Sequence, residues 1–428
     1  MMSYWFQDKT DNKTAFALFL LFAAAYITIN VPYLLFMDRY AELVSASNPF
    51  YGAKFGLNLF NFDPAMYYGY DNISVIHPYI NIIAGPLSEL ANSGLGNRFF
   101  LILQSILNAA STALLFYILR RSGGSRRISF LIACLFGISS YSLFSSFIPD
   151  SYAYAQFGLL ISVFFLQYYQ ERKLYPIWPL AALGALNFGI TATNVIPYAG
   201  AVILEQIERK SRTVIKTLSF ILGAFMIICL ALALVQLLMP RGVTWVSSFW
   251  GGLVNGGFNY IAFFSVTEHW KAIYLLGVNP LLTPEIALIN AKSAAIATDL
   301  SQPYPIYVSI FGFSFLILTL FGWIRGFREK RAWAIVPGLF IGFSIFLHLV
   351  VGYGLANFEY DLYLYAGHYW FACFLLLSMG IQSVRQPWIR KGIVGFLVIM
   401  LLVSTLHNLI HHRETLRNIE EIYVHEMK

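Results

Sequence analysis

Residues 60–79, F-N-F-D-P-A-M-Y-Y-G-Y-D-N-I-S-V-I-H-P-Y, set two carboxylates and a histidine just beyond a long apolar run. Asp63 precedes Pro64, and Asp71 follows the aromatic string Y-Y-G-Y. A carboxylate held close to hydrocarbon loses hydration, which favours its neutral form. Its pKa is then expected to rise toward the range where a general base works at neutral pH. Asp63 before a proline also suits a helix N-cap, so a structural role stands beside the chemical one.

Three further strings carry groups of the same kind. Asp150 lies in F-I-P-D-S-Y-A-Y, where Pro149 and Asp150 could equally form a turn and cap the next helix. Asp361, Tyr365 and His368 lie in E-Y-D-L-Y-L-Y-A-G-H-Y-W. A helix through that string brings Asp361 and His368 to one face with Tyr365 between them, facing either a polar headgroup or the aromatic fringe of a membrane interface. Arg241 and Lys271, together with His77 and His368, are candidates for holding a phosphate, although snorkelling to headgroups would also account for a single cation. His407, His411 and His412 near the C-terminus have helical spacing but no further ligand in register, and are not read as a metal site. Cys134, Cys229 and Cys373 are isolated within apolar segments and read as core.

These groups must be positioned by membrane helices. The 428 residues are 58% hydrophobic and 11% charged, with recurring apolar runs, the signature of an all-α polytopic membrane protein. The first run is too long for a signal peptide and lacks a cleavage site, so it reads as a retained span. Basic clusters at 120–127, 171–173, 208–212, 325–331 and 385–391 mark cytoplasmic loops. Spans consistent with them are 15–36, 98–119, 128–147, 151–170, 177–193, 194–207, 214–239, 304–324, 334–352, 365–383 and 392–410. These make about 11 transmembrane helices in a single integral-membrane domain over 1–428, with the N-terminus inside and the C-terminus outside. The pair within 177–207 is barely long enough to cross, or re-enters. Residues 75–90 carry Pro78 and Pro86 and would reverse every later crossing, so they read as an external re-entrant or interfacial segment. The long segments 37–97 and 240–303 then face outward, carry juxtamembrane helices, and should hold the function. The net charge of +7 sits on the inner side, matched to anionic membrane lipids, and nothing points to nucleic acid.

In this order the strings resemble a known family, the polyprenyl-phosphate-sugar-dependent glycosyltransferases of the GT-C superfamily. I-H-P-Y at 76–79 is similar to the His-Pro pair after their acidic loop. F-I-P-D-S-Y at 147–152 is similar to their external turn after the third span, I-T-A-T-N-V at 190–195 to their Thr-Asn motif, and L-Y-L-Y-A-G-H-Y-W at 362–370 to their late Leu-Tyr-Ser-x-His segment. The usual acidic pair is absent. The resemblance implies inverting transfer of a hexosyl or pentosyl group from a polyprenyl-phosphate carrier to a hydroxyl of a cell-envelope glycan or lipid-linked acceptor, at the outer face of the cytoplasmic membrane. Asp71 or Asp63 would be the catalytic base, and His77, Arg241, Lys271 or His368 would stabilise the departing phosphate. A divalent metal, Mg or Mn, is left open. The alternative is a multispanning transporter or flippase, which predicts ionisable residues in mid-span and an internal repeat. Neither is visible in the sequence.

Overall fold

The computed structural model describes residues 8–40, 65–208, 213–247, 249–284, 286–290, 295–298, 304–328, 332–356 and 362–421. In hydrocarbon, each backbone N–H and C=O must be paired within its own segment, and the apolar runs become helices for that reason. Helix α1 (Lys9–Arg39) starts where the Asp8 carboxylate accepts from the backbone N–H of Thr10 at 2.8 Å and of Asp11 at 3.1 Å. There follow α2 (Ile80–Leu90), α3 (Asn97–Arg121), α4 (Arg126–Gly137), α5 (Ser140–Ser145), α6 (Tyr152–Arg172), α7 (Ile177–Ile190), α8 (Val195–Glu208) and α9 (Val214–Leu237). Within the second long segment lies α10 (Val266–Ile273), and after it come α11 (Ile306–Arg328), α12 (Ala332–Ile345), α13 (Trp370–Ser383) and α14 (Pro387–Glu421).

Each expected span coincides with helix, and the chain is a helical membrane protein. Among the described residues, five helices are long and apolar enough to cross a membrane: α1, α3, α9, α11 and α14 over Pro387–Asn418. A sixth is added if Leu362–His368 and α13, bent by 64° at their junction, make one span. The other segments are shorter, broken or, in the 21-residue α6, less apolar. Residues 128–147 split into α4 and α5, and α7 and α8 have 14 residues each, about 21 Å of helix against about 30 Å of hydrocarbon. One departure from the all-helical expectation lies in segment 240–303, where β1 (Ile286–Asn290) and β2 (Ala295–Thr298) pair antiparallel, with Ile286 opposite Thr298.

The bundle has two chemically different ends. At one, Arg120 bonds Asp11 at 2.9 Å, and Arg126 bonds Asp8 at 2.9 Å and Asp11 at 2.6 Å, tying the start of α1 to the turn between α3 and α4. Arg325 donates to the Ser383 carbonyl at that same end. At the other, Arg98 meets Asp38 at 3.0 Å. Between them lies an apolar core with Trp370, Tyr26, Tyr33 and Phe136 fully buried, along with all three cysteines. Helices α11 and α13 touch backbone to backbone: a Cβ on Gly322 would stand 1.9 Å from the Leu376 carbonyl oxygen. Helix α14 is fastened by buried polar groups. The Asn408 amide donates to the Ile138 and Leu281 carbonyls, and its oxygen accepts from the backbone and hydroxyl of Thr283. Both ring nitrogens of His407 are engaged, by Thr283 and Tyr307.

Candidate functional site

The site is assembled where interruptions in the helices meet. Pro78 has no N–H and biases His77 toward extended backbone. At the end of α7, Thr191 is also extended (φ −151°, ψ 115°). The two stretches pair: Tyr79 N–H donates to Gly189 O at 2.9 Å, and Ala192 N–H donates to Ile76 O at 2.8 Å. This docking brings the His77 ring to Ile190, where Nδ1 lies 2.6 Å from the carbonyl oxygen. A carbonyl only accepts, so Nδ1 carries the proton and Nε2 keeps the lone pair. Burial pushes the His77 pKa below the ordinary imidazole value.

Asp150 lies in the turn before α6. It is 5% exposed, and its carboxylate accepts from the Ser151 N–H. A π-helical turn, Phe346–Val350, continues α12 and carries His348, whose Nδ1–H donates to Tyr353 O at 2.8 Å. Gly352 and Gly354 follow with φ of +76° and +91°. These left-handed conformations suit glycine, and at Gly352 a Cβ would stand 2.4 Å from the Ala262 carbonyl oxygen. The string 362–368 is a 3-10 helix rather than the α-helix expected from the sequence. Its three-residue period aligns Tyr365 with His368, and both rings pack against Tyr152 at 5.5 and 5.9 Å.

These pieces enclose a cavity of about 430 Å³. Residues 75–77, 150–152 and 191–194, together with the 3-10 helix, supply its polar wall. Phe340, Phe343, Ser344, Leu347, His348 and Val351 form one helical stripe on the opposite side, and residues 245–261 close it with aromatic rings. Three residues of this lining each carry a buried side-chain atom without a partner: Thr191 Oγ1, Asn194 Nδ2 and His368 Nδ1. Orphaned donors and acceptors around one cavity are the groups a polar ligand would satisfy. Among the described lining residues, Asp150 is the one carboxylate, and no Lys or Arg appears.

Of the residues singled out in the sequence, the cavity gathers His77, Asp150, Tyr365 and His368. Asp71 is elsewhere, paired with Arg241 in an ion pair whose side chains are 56% and 61% exposed. The expected rise in its pKa is reversed, because hydrogen bonding to the guanidinium favours the charged carboxylate and lowers it. Lys271 pairs with Glu268 at 3.1 Å on α10 and does not line the cavity. Asp63 and Asp361 lie outside the described residues. His348 was not singled out, and Thr191 and Asn194 entered only within the string I-T-A-T-N-V at 190–195. His348 is the lone ionisable residue in the apolar run 333–352, a signal in its own right. Among the described residues, no group of three His, Cys, Asp or Glu side chains is placed to hold one metal ion. No family model matches the chain, and a search of curated proteins finds no match.

Proposed function

We propose that this protein is a membrane glycosyltransferase. In this reading it moves a hexosyl or pentosyl group from a polyprenyl-phosphate carrier to a hydroxyl of an envelope glycan or lipid-linked acceptor, with an inverting outcome. One observation carries the reading: the four separate strings behind the family resemblance, at 76–79, 147–152, 190–195 and 362–370, converge on one cavity. Its chemistry suits the task. Aromatic rings offer faces to a sugar, Asp150 can hydrogen-bond sugar hydroxyls and offset positive charge developing at the anomeric carbon, and the Thr191, Asn194 and His368 atoms can meet a phosphate or a hydroxyl. Phosphate leaves without needing protonation, so a pair of carboxylates as in glycosidases is not required. A divalent ion, if used, would need ligands beyond those described around the cavity.

The topology proposed with this function is the eleven-span arrangement, with the charged end at 120–127 and 325–331 in the cytoplasm and the cavity opening at the outer face. The test uses the purified chain in lipid nanodiscs with a panel of sugar-labelled polyprenyl-phosphate hexoses and pentoses, water and solubilised envelope glycan serving as acceptors. Release of free polyprenyl phosphate with at least one donor is expected, falling by about 100-fold or more in Asp150→Asn. Absence of release with every donor would refute the assignment.

A further inference from the structure

Four side chains on the cavity wall carry acid–base groups: Asp150, His77, His348 and His368. We propose that His77 is the general base of the transfer, taking the acceptor hydroxyl's proton at Nε2. The proposal rests on the glycosyl-transfer reading and names the residue that activates the acceptor, a task that the family resemblance assigns to Asp71 or Asp63.

The geometry fixes the ring. Nδ1–H is committed to Ile190 O at 2.6 Å, and the backbone on both sides is tied to the α7–α8 turn through Ile76 O and Tyr79 N. Turning the ring over would replace Nδ1–H with a carbon and leave the carbonyl without its donor. Nε2 is therefore the nitrogen available to a ligand, and it is a base in this tautomer. Thr191 Oγ1 and Asn194 Nδ2 are one and four residues beyond Ile190, buried and without partners, so a hydroxyl-bearing ligand beside His77 meets groups that can orient it. Asp150 already accepts from the Ser151 N–H. His348 is 1% exposed and sits in the apolar stripe. Arg241, which the sequence offered as a phosphate partner, is occupied by Asp71 outside the lining.

The step balances. The acceptor O–H bond breaks and its proton goes to Nε2. The oxygen's electron pair forms the new bond to the anomeric carbon, and the old bond from that carbon to phosphate breaks with its pair remaining on the phosphate oxygen. The imidazolium arises as the phosphate gains its second negative charge, and it afterwards releases its proton to water. In a cavity with no described Lys or Arg, that transient cation supplies positive charge beside the leaving group.

His77→Asn is the discriminating variant, because its amide nitrogen can still donate to Ile190 O while no basic nitrogen remains. With the donor panel and water or envelope glycan as acceptor, kcat should fall about 100-fold or more with KM and the thermal unfolding midpoint little changed. Wild-type kcat should fall as pH drops through the lowered His77 pKa, and this acid limb should vanish in the variant. The other titratable groups facing the cavity are Asp150, His348, His368, Tyr152, Tyr260, Tyr353 and Tyr365, and a limb that persists in His77→Asn belongs to one of them. An active wild type with an equally active variant overturns the base assignment alone. A wild type inactive with every donor overturns the glycosyl-transfer reading as well.

Discussion

At the residue scale, Asp71 and Asp150 are two carboxylates in opposite surroundings. Both follow aromatic or apolar strings, yet one is exposed beside Arg241 and the other is buried on the cavity wall. Nothing local distinguishes them, because the partner of Asp71 lies 170 residues away. Solvent screening weakens such an exposed pair, so Asp71→Asn should leave donor turnover within about twofold of wild type, whereas Asp150→Asn should not. A rate lost in Asp71→Asn and kept in Asp150→Asn would return the chemistry to the first long loop. The pH dependence has a definite sign. Arg241 lowers the folded-state pKa of Asp71, so the pair's contribution is full above the ordinary carboxylate range and is lost as pH falls through the lowered value. A stability scan from pH 6 downward should therefore show a smaller acid-induced loss in Asp71→Asn. The histidines were legible as residues but not as roles. His77 could be placed near a phosphate by type, but only the bond to Ile190 fixes the ring's orientation, and only its burial favours the neutral form.

At the element scale, hydrophobic runs gave the helices, and the breaks in them gave the site. The runs at 98–119 and 214–239 became the uninterrupted helices α3 and α9. Segment 334–352 reads as one span, yet its last turn widens into a π-helical turn that sets His348 on the cavity. The shift from α to 3-10 at 362–368 was equally hidden, since both use the same apolar and aromatic residues. Close helix contact yields another prediction. In Gly322→Ala the new methyl meets the Leu376 carbonyl, which is backbone and cannot swing aside, so α11 and α13 must part. A loss of about 1–3 kcal/mol is expected, seen as a thermal midpoint several degrees lower in detergent. Asn408→Ala should cost at least about 2 kcal/mol, because the Thr283 backbone N–H and the Ile138 and Leu281 carbonyls lose a fully buried partner. An unchanged midpoint in either variant would mean that the contact relaxes freely.

At the scale of the whole molecule, the distribution of charge was the most legible feature and the arrangement in the membrane the least. Composition identifies a helical membrane protein, and Arg325, which donates to Ser383 O, lies at the end where Gly123 faces Gln382. The number of crossings depends on how 14-residue helices such as α7 and α8 sit in a bilayer, which length alone leaves open. In a cysteine-free background, single cysteines at Trp250 or Phe258 should react with an impermeant maleimide added outside intact cells, and one at Arg127 only after lysis. The reverse pattern would invert the proposed orientation. The cavity draws its wall from residues as early as Val75 and as late as His368. During synthesis, then, no ribosome-bound fragment shorter than that can possess the pocket, and the nascent chain lacks a complete wall until most of it has been made.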